Sequence, residues 1–395
     1  MYAYREPLTP ALQLLLYAVK GARSAEECST MIRLYSEVGD DVIWGLAVAN
    51  KVEPIVAHAL MQTVGEGSLM ERWGAAHRGA FAKTTKFVEE LDAVSLLLAD
   101  RGVSIAAIES GGVVCAGLQC PGCFASGDME VLAAKQDLPE IDACLKGEGY
   151  ERCAREGRAS DDVTRVDHEQ RGWSVYSKEL DGKQQFFLNV MWLPVLRRWL
   201  APSGEPPVGE LIARSVPVTG RVTRIRILSP EDNVLHAALH TASHSYVRGP
   251  GLRLQLDIDR LVHGHSLDWK LFVRRAKKYR VRTCAFPALA IPRGLLGTPI
   301  PNWVLNALVS SERRQGAILR RIGAASVFHK EGKRYGRLGM LLLEARLCDD
   351  GPVVGLTRAL FPPTAWMRKS YGSSGVLLPY YYGARLFGLL CRASE

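Results

Sequence analysis

The chain has 395 residues, of which 47% are hydrophobic and 23% are charged, and its formal net charge is +9. This composition is typical of a globular protein and excludes a disordered, collagen-like or coiled-coil chain. The length suggests two or three domains with room for large cores. The positive surplus suits an anionic partner, such as a nucleotide, a nucleic acid or an acidic membrane surface, without choosing among them.

No segment predicts export or a membrane span. No uncharged apolar run approaches the roughly 18 to 20 residues that a transmembrane helix needs. The apolar stretch from Ala11 to Val19 is short and contains Gln13, and Glu6 lies where a signal peptide carries only positive charge. The nine cysteines fit a reduced state. We therefore expect a soluble, cytoplasmic protein.

Residues 1–100 predict an N-terminal helical domain. Apolar side chains recur at three- and four-residue spacing from Asp41 to Met61, and Pro54 is expected to divide this stretch into two helices. A further helix is expected from about Ala80 to Asp100, with Phe87 and other apolar residues along one side.

Residues 101–228 predict a compact α/β core. Short apolar or alternating runs indicate four strands, and the segments between them indicate two helices. The expected strands are Val103–Ile108, Asp128–Ala133, Trp173–Tyr176 and Gln185–Trp192, and the expected helices are Val113–Leu118 and Leu138–Gly147.

The helical period returns over residues 229–323, where Ser229 and Pro230 form a helix start. Residues 324–395 form a basic extension rich in aromatic side chains. The predicted fold class is therefore α+β, with a small mixed β-sheet core flanked by N- and C-terminal helical domains.

The most informative pattern is a pair of carboxylates, Asp128 and Glu130, on one predicted strand. Alternate side chains of a strand share a face, which places these two about 6.5 to 7 Å apart at Cα. Two carboxylates this close repel each other unless a cation lies between them. Mg²⁺ usually takes one or two carboxylates and completes its shell with water and substrate phosphate. The alternative is that the pair is only the solvated face of a half-buried strand.

A glycine pair, Gly111 and Gly112, precedes the predicted helix after the first strand. Glycines at this place let the backbone approach a phosphate, whose charge a helix N-terminus stabilises. Together with the metal-binding carboxylates, this pattern predicts the transfer of a nucleotidyl group from a metal-bound triphosphate.

Gly111 and Gly112 followed by Asp-apolar-Glu-apolar at residues 128–131 resemble the signature of the polymerase β-like nucleotidyltransferase superfamily. The wider chain resembles one bacterial branch, an uncharacterised nucleotidyltransferase family associated with lasso-peptide and exopolysaccharide gene clusters. Matching words run along nearly the whole chain: Ile43–Leu46, Val52–Val56, Gly149-Tyr150, Phe187–Trp192, Leu239-His240, Leu256–Ile258 and Asp268-Trp269.

The resemblance implies a nucleotidyltransferase core that uses Mg²⁺ or Mn²⁺ and a nucleoside triphosphate. Asp128 and Glu130 would bind the metal, and Ser110, Gly111 and Gly112 would cradle the triphosphate. An unknown small molecule or modified peptide of natural-product biosynthesis would be the acceptor.

Four positions depart from the family pattern. Glu109 replaces a Lys-Gly element, Phe124 replaces an arginine, and Asn189 and Met191 replace an acid and a histidine. Because asparagine is a weak ligand and cannot act as a base at neutral pH, Glu109 is a candidate for the missing acid. The rival hypothesis is a catalytically degenerate protein that uses the same fold to bind a nucleotide, a peptide or a partner enzyme.

Three histidines, His236, His240 and His244, form one stripe of a predicted helix. We interpret them as core or capping residues, with the option that His240 and His244 face the nucleotide cleft. A second acidic pair, Asp257 and Asp259, is expected to begin a helix, where residues two apart do not share a face.

The spacing of Cys115, Cys120 and Cys123 resembles an incomplete zinc motif. No cysteine spacing supplies a fourth ligand, since Cys144 and Cys153 are remote, so we interpret these residues as loop thiols. The basic run from Arg274 to Arg280 is interpreted as a solvated helix face, and nucleic acid is not the expected partner.

Overall fold

The computed structural model describes residues 8–21, 23–65, 71–117, 120–125, 127–153, 172–182, 184–194, 206–218, 223–247, 251–323, 327–328, 335, 337–362, 364, 367 and 377–391. Glu6, Leu118 and part of the predicted extension 324–395 lie outside these residues.

Helices occupy the described part of the chain before the sheet. They are α1 Pro10–Val19, α2 Ala25–Val38, α3 Asp40–Ala49, α4 Glu53–Thr63 and α5 Glu71–Asp100. The predicted division near Pro54 is confirmed, because this proline lies in the first turn of α4, where its missing N–H is tolerated. The last of these helices, α5, begins at Glu71, nine residues before the predicted Ala80. The fully buried Trp73 anchors its first turn, where few other large apolar residues mark a helical pattern in the sequence.

The strands form one mixed sheet. They are β1 Ile105–Ile108, β2 Met129–Ala133, β3 Glu151–Cys153, β4 Trp173–Leu180, β5 Gln184–Met191, β6 Val216–Pro217 and β7 Arg226–Ile227, in the order β3-β4-β5-β2-β1-β7-β6. All four predicted strands are present. The three that the sequence did not indicate have two or three residues each, too few for a period-2 pattern.

The two central strands, β1 and β2, are antiparallel, whereas β2 and β5 are parallel. Met129 and Val131 of β2 face the large helical core, and Leu132 faces a second, smaller core on the other side of the sheet. Glu130 alternates with these apolar neighbours, and its register partners are Ile108 of β1 and Asn189 of β5.

A short helix, α6 Glu109–Cys115, follows β1 directly. The prediction that the glycine pair precedes this helix is wrong, because Gly111 and Gly112 are its third and fourth residues. An added Cβ would lie 3.1 Å from the carbonyl oxygen of Glu130 at the first glycine and 3.0 Å from that of Ala107 at the second. Glycine is therefore required here because the helix packs directly onto the sheet backbone.

The remaining helices are α7 Leu138–Gly147, α8 Val208–Ala213, α9 Pro230–Ser243, α10 Gly251–Gly264, α11 Trp269–Lys278, α12 Arg282–Leu296, α13 Asn302–Leu308, α14 Glu312–Ile322, α15 Arg337–Leu347, α16 Pro352–Leu360 and α17 Leu378–Cys391. None of the helices among the described residues has the length and apolar character that spanning a membrane requires. Helices that precede the sheet in the chain and helices that follow it pack into one common core against the same face of the sheet. The four-part division at residues 100, 228 and 323 therefore remains a proposal.

Replacing Gly112 by alanine is expected to destabilise the protein by about 1 to 3 kcal/mol, because the new Cβ would press on the backbone of Ala107, which cannot move without shifting β1. Urea unfolding measures the effect. Gly45→Ala is the matched control, since this exposed helical glycine has nothing within 4 Å of the added Cβ. The control is expected to gain up to about 1 kcal/mol, and equal effects at both sites would contradict the packing argument.

Candidate active site

The predicted carboxylate pair lies at the start of β2. Asp128 immediately precedes the strand, and Glu130 is its second residue and only 5% exposed. The side chain of Asn189 on the neighbouring strand donates a hydrogen bond from Nδ2 to Asp128 Oδ2 at 2.8 Å. The N–H of Gly111 points at Glu130 Oε2 from 3.4 Å. The structure therefore brings the first turn of α6 and the ends of two strands together around these acids.

Glu109 joins this group from the beginning of α6. Its φ of 49° lies in the left-handed region, which is uncommon outside glycine and costs about 1 to 3 kcal/mol at strained sites. The carboxylate lies 3.3 Å from His240 Nε2 and 3.8 Å from His236 Nε2, both on α9. Two of the three striped histidines thus face the acid that sequence reasoning singled out.

Burial and mutual repulsion set the protonation of these groups. Burial, with the negative charges of Asp128 and Asp257, raises the pKa of Glu109 to about 8. The same causes, burial first and then Asp128 and Glu109, raise the pKa of Glu130 well above its ordinary value. Burial also lowers the pKa of His240. These shifts favour the neutral forms of both Glu109 and His240 at neutral pH.

Positive charge reaches the acids from two helices. Arg253 of α10 donates from Nη2 to Ser110 Oγ at 2.8 Å, and its charge lowers the pKa of Glu109, Glu130 and Asp257. Burial lowers the pKa of Lys83 on α5, and the charge of Asp128 partly offsets that effect. These cations were not identified from the sequence.

A small cleft opens beside Ser110. It is lined by Lys51, Val52, Ile55, Ser110, Cys123, Phe124, Ala125, Arg253, Leu256, Asp257 and Arg260. The guanidinium of Arg260 lies over the Phe124 ring, 4.3 Å from its centroid, and donates to the Cys123 carbonyl at 3.0 Å. Arg260 of α10 therefore brings a guanidinium against Phe124, the residue that replaces the family arginine in the sequence.

A second small cleft adjoins the first through Asp257. Glu109, Asn233 and His240 line it. His244 caps the end of α9, and its ring packs edge-to-face against that of His240 with centroids 4.9 Å apart. Of the predicted nucleotide-binding residues, Ser110 and His240 line a cleft, while Gly111 and Gly112 are buried against the sheet.

Asp257 was not identified from the sequence as a residue of the site, although it lines both clefts. The prediction that Asp257 and Asp259 do not share a helix face agrees with their separate contacts, since Thr298 donates to Asp259 while Asp257 lines both clefts. The helix begins at Gly251, not near Leu256. A stripe at i, i+4 and i+7, namely Arg253, Asp257 and Arg260, was the signal that could have identified this face.

The ligand atoms of Asp128, Glu130 and Glu109 do not all lie as close together as three ligands of one metal ion would. Among the described residues, one cluster of three or more His, Cys, Asp and Glu side chains has all its ligand atoms within 4.8 Å, and it lies elsewhere in the fold. Because Mg²⁺ commonly takes only one or two carboxylates, Asp128 and Glu130 suffice as a donor pair. Glu109, which contacts two histidines, need not join them.

A comparison with protein-family models decides the relationship. The model described as an uncharacterised nucleotidyltransferase matches residues 36–297, a span that contains both clefts and all three acids. The chain belongs to this nucleotidyltransferase family. No curated protein matches the chain. Family membership indicates a transferase fold and leaves the acceptor open.

Glu109 is expected to make the metal-free protein less stable as pH rises from 7 to 8. A carboxyl whose pKa is raised by folding keeps its proton in the native state while the unfolded chain has lost it, so stability is lost as pH rises toward the folded pKa of about 8. Glu109→Gln should remove about 1 kcal/mol of this loss. Urea unfolding in EDTA at pH 7, 7.5 and 8 measures it, and the unfolded histidines are largely neutral there.

Exposed Glu148→Gln is the matched control and should follow the wild-type pH dependence. Parallel curves for Glu109→Gln and wild type would contradict the proposed protonation of the buried carboxyl.

Proposed function

We propose that this protein transfers a nucleotidyl group from a nucleoside triphosphate, bound with Mg²⁺ or Mn²⁺, to an acceptor that lies in the second cleft. The observation that supports it best is the convergence of Asp128, Glu130 and Glu109, largely shielded from water, beside a cleft lined by cations. Family membership supports the same chemistry.

The donor set fits a hard divalent cation. Asp128 and Glu130 offer carboxylate oxygens, and burial, followed by the charge of Asp128, raises the pKa of Glu130, so a cation between the two acids would favour their ionised forms. When bound, the metal would supply charge neutralisation at the triphosphate and at the attacking oxygen. Asn189 orients Asp128 through the hydrogen bond to Oδ2, which leaves Oδ1 for the cation.

The first cleft suits the triphosphate. Arg253, Arg260 and Lys51 line it, and a guanidinium fork matches phosphate oxygens in geometry and charge. Arg253 also bonds to Ser110, so one side chain links the phosphate-side wall to the first turn of α6. These residues would hold the departing pyrophosphate, since its charge grows as the bond to the α-phosphorus breaks.

The second cleft suits the acceptor. Asn233 Nδ2 is buried there and has no hydrogen-bond partner within the described part of the chain, so it can donate to a ligand. An acceptor oxygen would attack the α-phosphorus, and a hydroxyl acceptor would lose its proton to Glu109, whose carboxyl would ionise once a bound cation offsets the neighbouring negative charges. By family analogy only, the acceptor is a small molecule or modified peptide of natural-product biosynthesis.

A second candidate function is nucleotide or peptide binding without catalysis. The observation that favours it is the amide of Asn189, which donates to Asp128 at a position where the family pattern has a third acid. A hydrogen-bond donor at this place partly satisfies the carboxylate without a metal. Binding of a nucleotide would then be independent of divalent cations.

Asp128→Ala is expected to reduce pyrophosphate release from Mg²⁺-bound triphosphate by about a hundredfold or more, since loss of a metal ligand removes about 3 kcal/mol of transition-state stabilisation. The assay uses the four common nucleoside triphosphates and a panel of hydroxyl, phosphate and carboxylate acceptors. Pyrophosphate is measured by a coupled pyrophosphatase reaction.

The exposed Asp100→Ala, at the end of α5, is the matched control and should retain wild-type turnover. Equal trace release by wild type and Asp128→Ala across the panel would contradict catalysis. Nucleotide affinity that is unchanged in EDTA would then support the binding protein.

A further inference from the structure

Two histidines and two cysteines converge at the loop that leads into β2. His58 lies on α4 and His77 on α5, while Cys120 immediately precedes a single turn of 3₁₀ helix, Pro121–Cys123, whose last residue is Cys123. One ligand atom from each of the four side chains lies within 4.8 Å of all the others. Neither histidine belongs to the carboxylate site.

The donor set is that of a structural zinc site. Zinc binds two thiolates and two imidazoles in a tetrahedron, with Zn–S about 2.3 Å and Zn–N about 2.0 to 2.1 Å. Those bond lengths place the ligand atoms about 3.4 to 3.8 Å apart. Cys120 Sγ and His77 Nε2 are already 3.6 Å apart. The rest of the cluster needs to contract by about 1.4 Å at most.

The surrounding backbone is shaped for this convergence. The Cys123 N–H donates to the Cys120 carbonyl at 2.9 Å, which closes the Cys-Pro-Gly-Cys turn and directs both sulfurs to one side. Gly122 is required inside the turn, because an added Cβ would overlap the His77 ring. Two intervening residues are also a typical spacing for a pair of zinc-binding cysteines.

The imidazoles are also held in place. The rings of His58 and His77 stack with centroids 5.1 Å apart, and Gln62 Nε2 lies 3.0 Å from His58 Nε2. Hydrogen bonds to ligand histidines fix the ring orientation and the nitrogen that faces the metal. Three of the four side chains are half-buried and Cys123 is buried, so the cluster is neither a solvated loop nor an inaccessible core.

We propose that His58, His77, Cys120 and Cys123 bind one zinc ion. Four protein ligands close the coordination shell, so the ion has a structural role and no position for substrate. It would join α4 and α5 to the loop before β2. Arg260 binds the carbonyl of Cys123, and Asp128 follows five residues later, so the ion would hold one wall of the cleft in place.

From the sequence these cysteines were interpreted as loop thiols because no further ligands were apparent nearby. The two histidines that complete the cluster precede Cys120 by 62 and 43 residues in the chain. Cys115, Cys144 and Cys153 are not part of the cluster. The proposal is independent of nucleotidyl transfer and can be tested on a protein that shows no turnover.

The test is the metal content of the full chain, expressed in zinc-supplemented medium and measured by plasma mass spectrometry after gel filtration. Wild type is expected to carry about one zinc per chain, and Cys120→Ser and His77→Ala are expected to lose it. Cys28→Ser, a half-buried thiol on α2, is the matched control and should keep the metal. No zinc in wild type, or equal zinc in wild type and Cys120→Ser, would overturn the proposal.

A second measurement covers variants that fail to fold. Chelator-treated wild type is titrated with Co²⁺, and tetrahedral coordination by two thiolates should give visible d–d bands and a thiolate-to-cobalt charge-transfer band that saturate together. Added zinc should abolish both bands. A spectrum without the charge-transfer band would show that the cysteines are not ligands and would overturn the assignment.

Discussion

Mutual repulsion among carboxylates that have little contact with water governs the cleft of this protein. Two negative charges about 4 Å apart repel by about 4 kcal/mol at an effective dielectric constant near 20. Burial and this repulsion together raise the pKa values of Glu109 and Glu130, and the charge of Arg253 offsets part of the effect for both. Under the proposed function, a bound divalent cation would offset the repulsion that remains.

The fold enforces this arrangement through close backbone packing. Gly111 and Gly112 let α6 lie directly on β1 and β2, which sets Glu109 beside the strand that carries Glu130. Glu109 accepts a left-handed backbone conformation at the junction. On the far side, α9 and α10 supply the histidines and arginines that face the acids. The strained backbone of Glu109 and the charged side chains therefore lie together where α9 and α10 meet α6 and the sheet.

The sequence predicted the fold class, the four longer strands and the acidic pair, because these depend on local patterns of period 2 and 3.6. The start of α6 was misplaced because glycine has low helix propensity, whereas tight packing on the sheet requires it at residues 111 and 112. The helical spacing of Arg253 and Asp257 was visible in the sequence, but the groups that they face were not, because those contacts join residues far apart in the chain. The histidines near Cys120 could not be assigned for the same reason.

A crystal soaked with Mn²⁺ and a non-hydrolysable nucleoside triphosphate tests the central claim most directly, through the anomalous signal of the metal. The predicted result is an anomalous peak within ligand distance of the carboxylates of Asp128 and Glu130, with phosphate oxygens near Arg253. A nucleotide bound elsewhere, or a metal peak that neither carboxylate touches, would contradict the account.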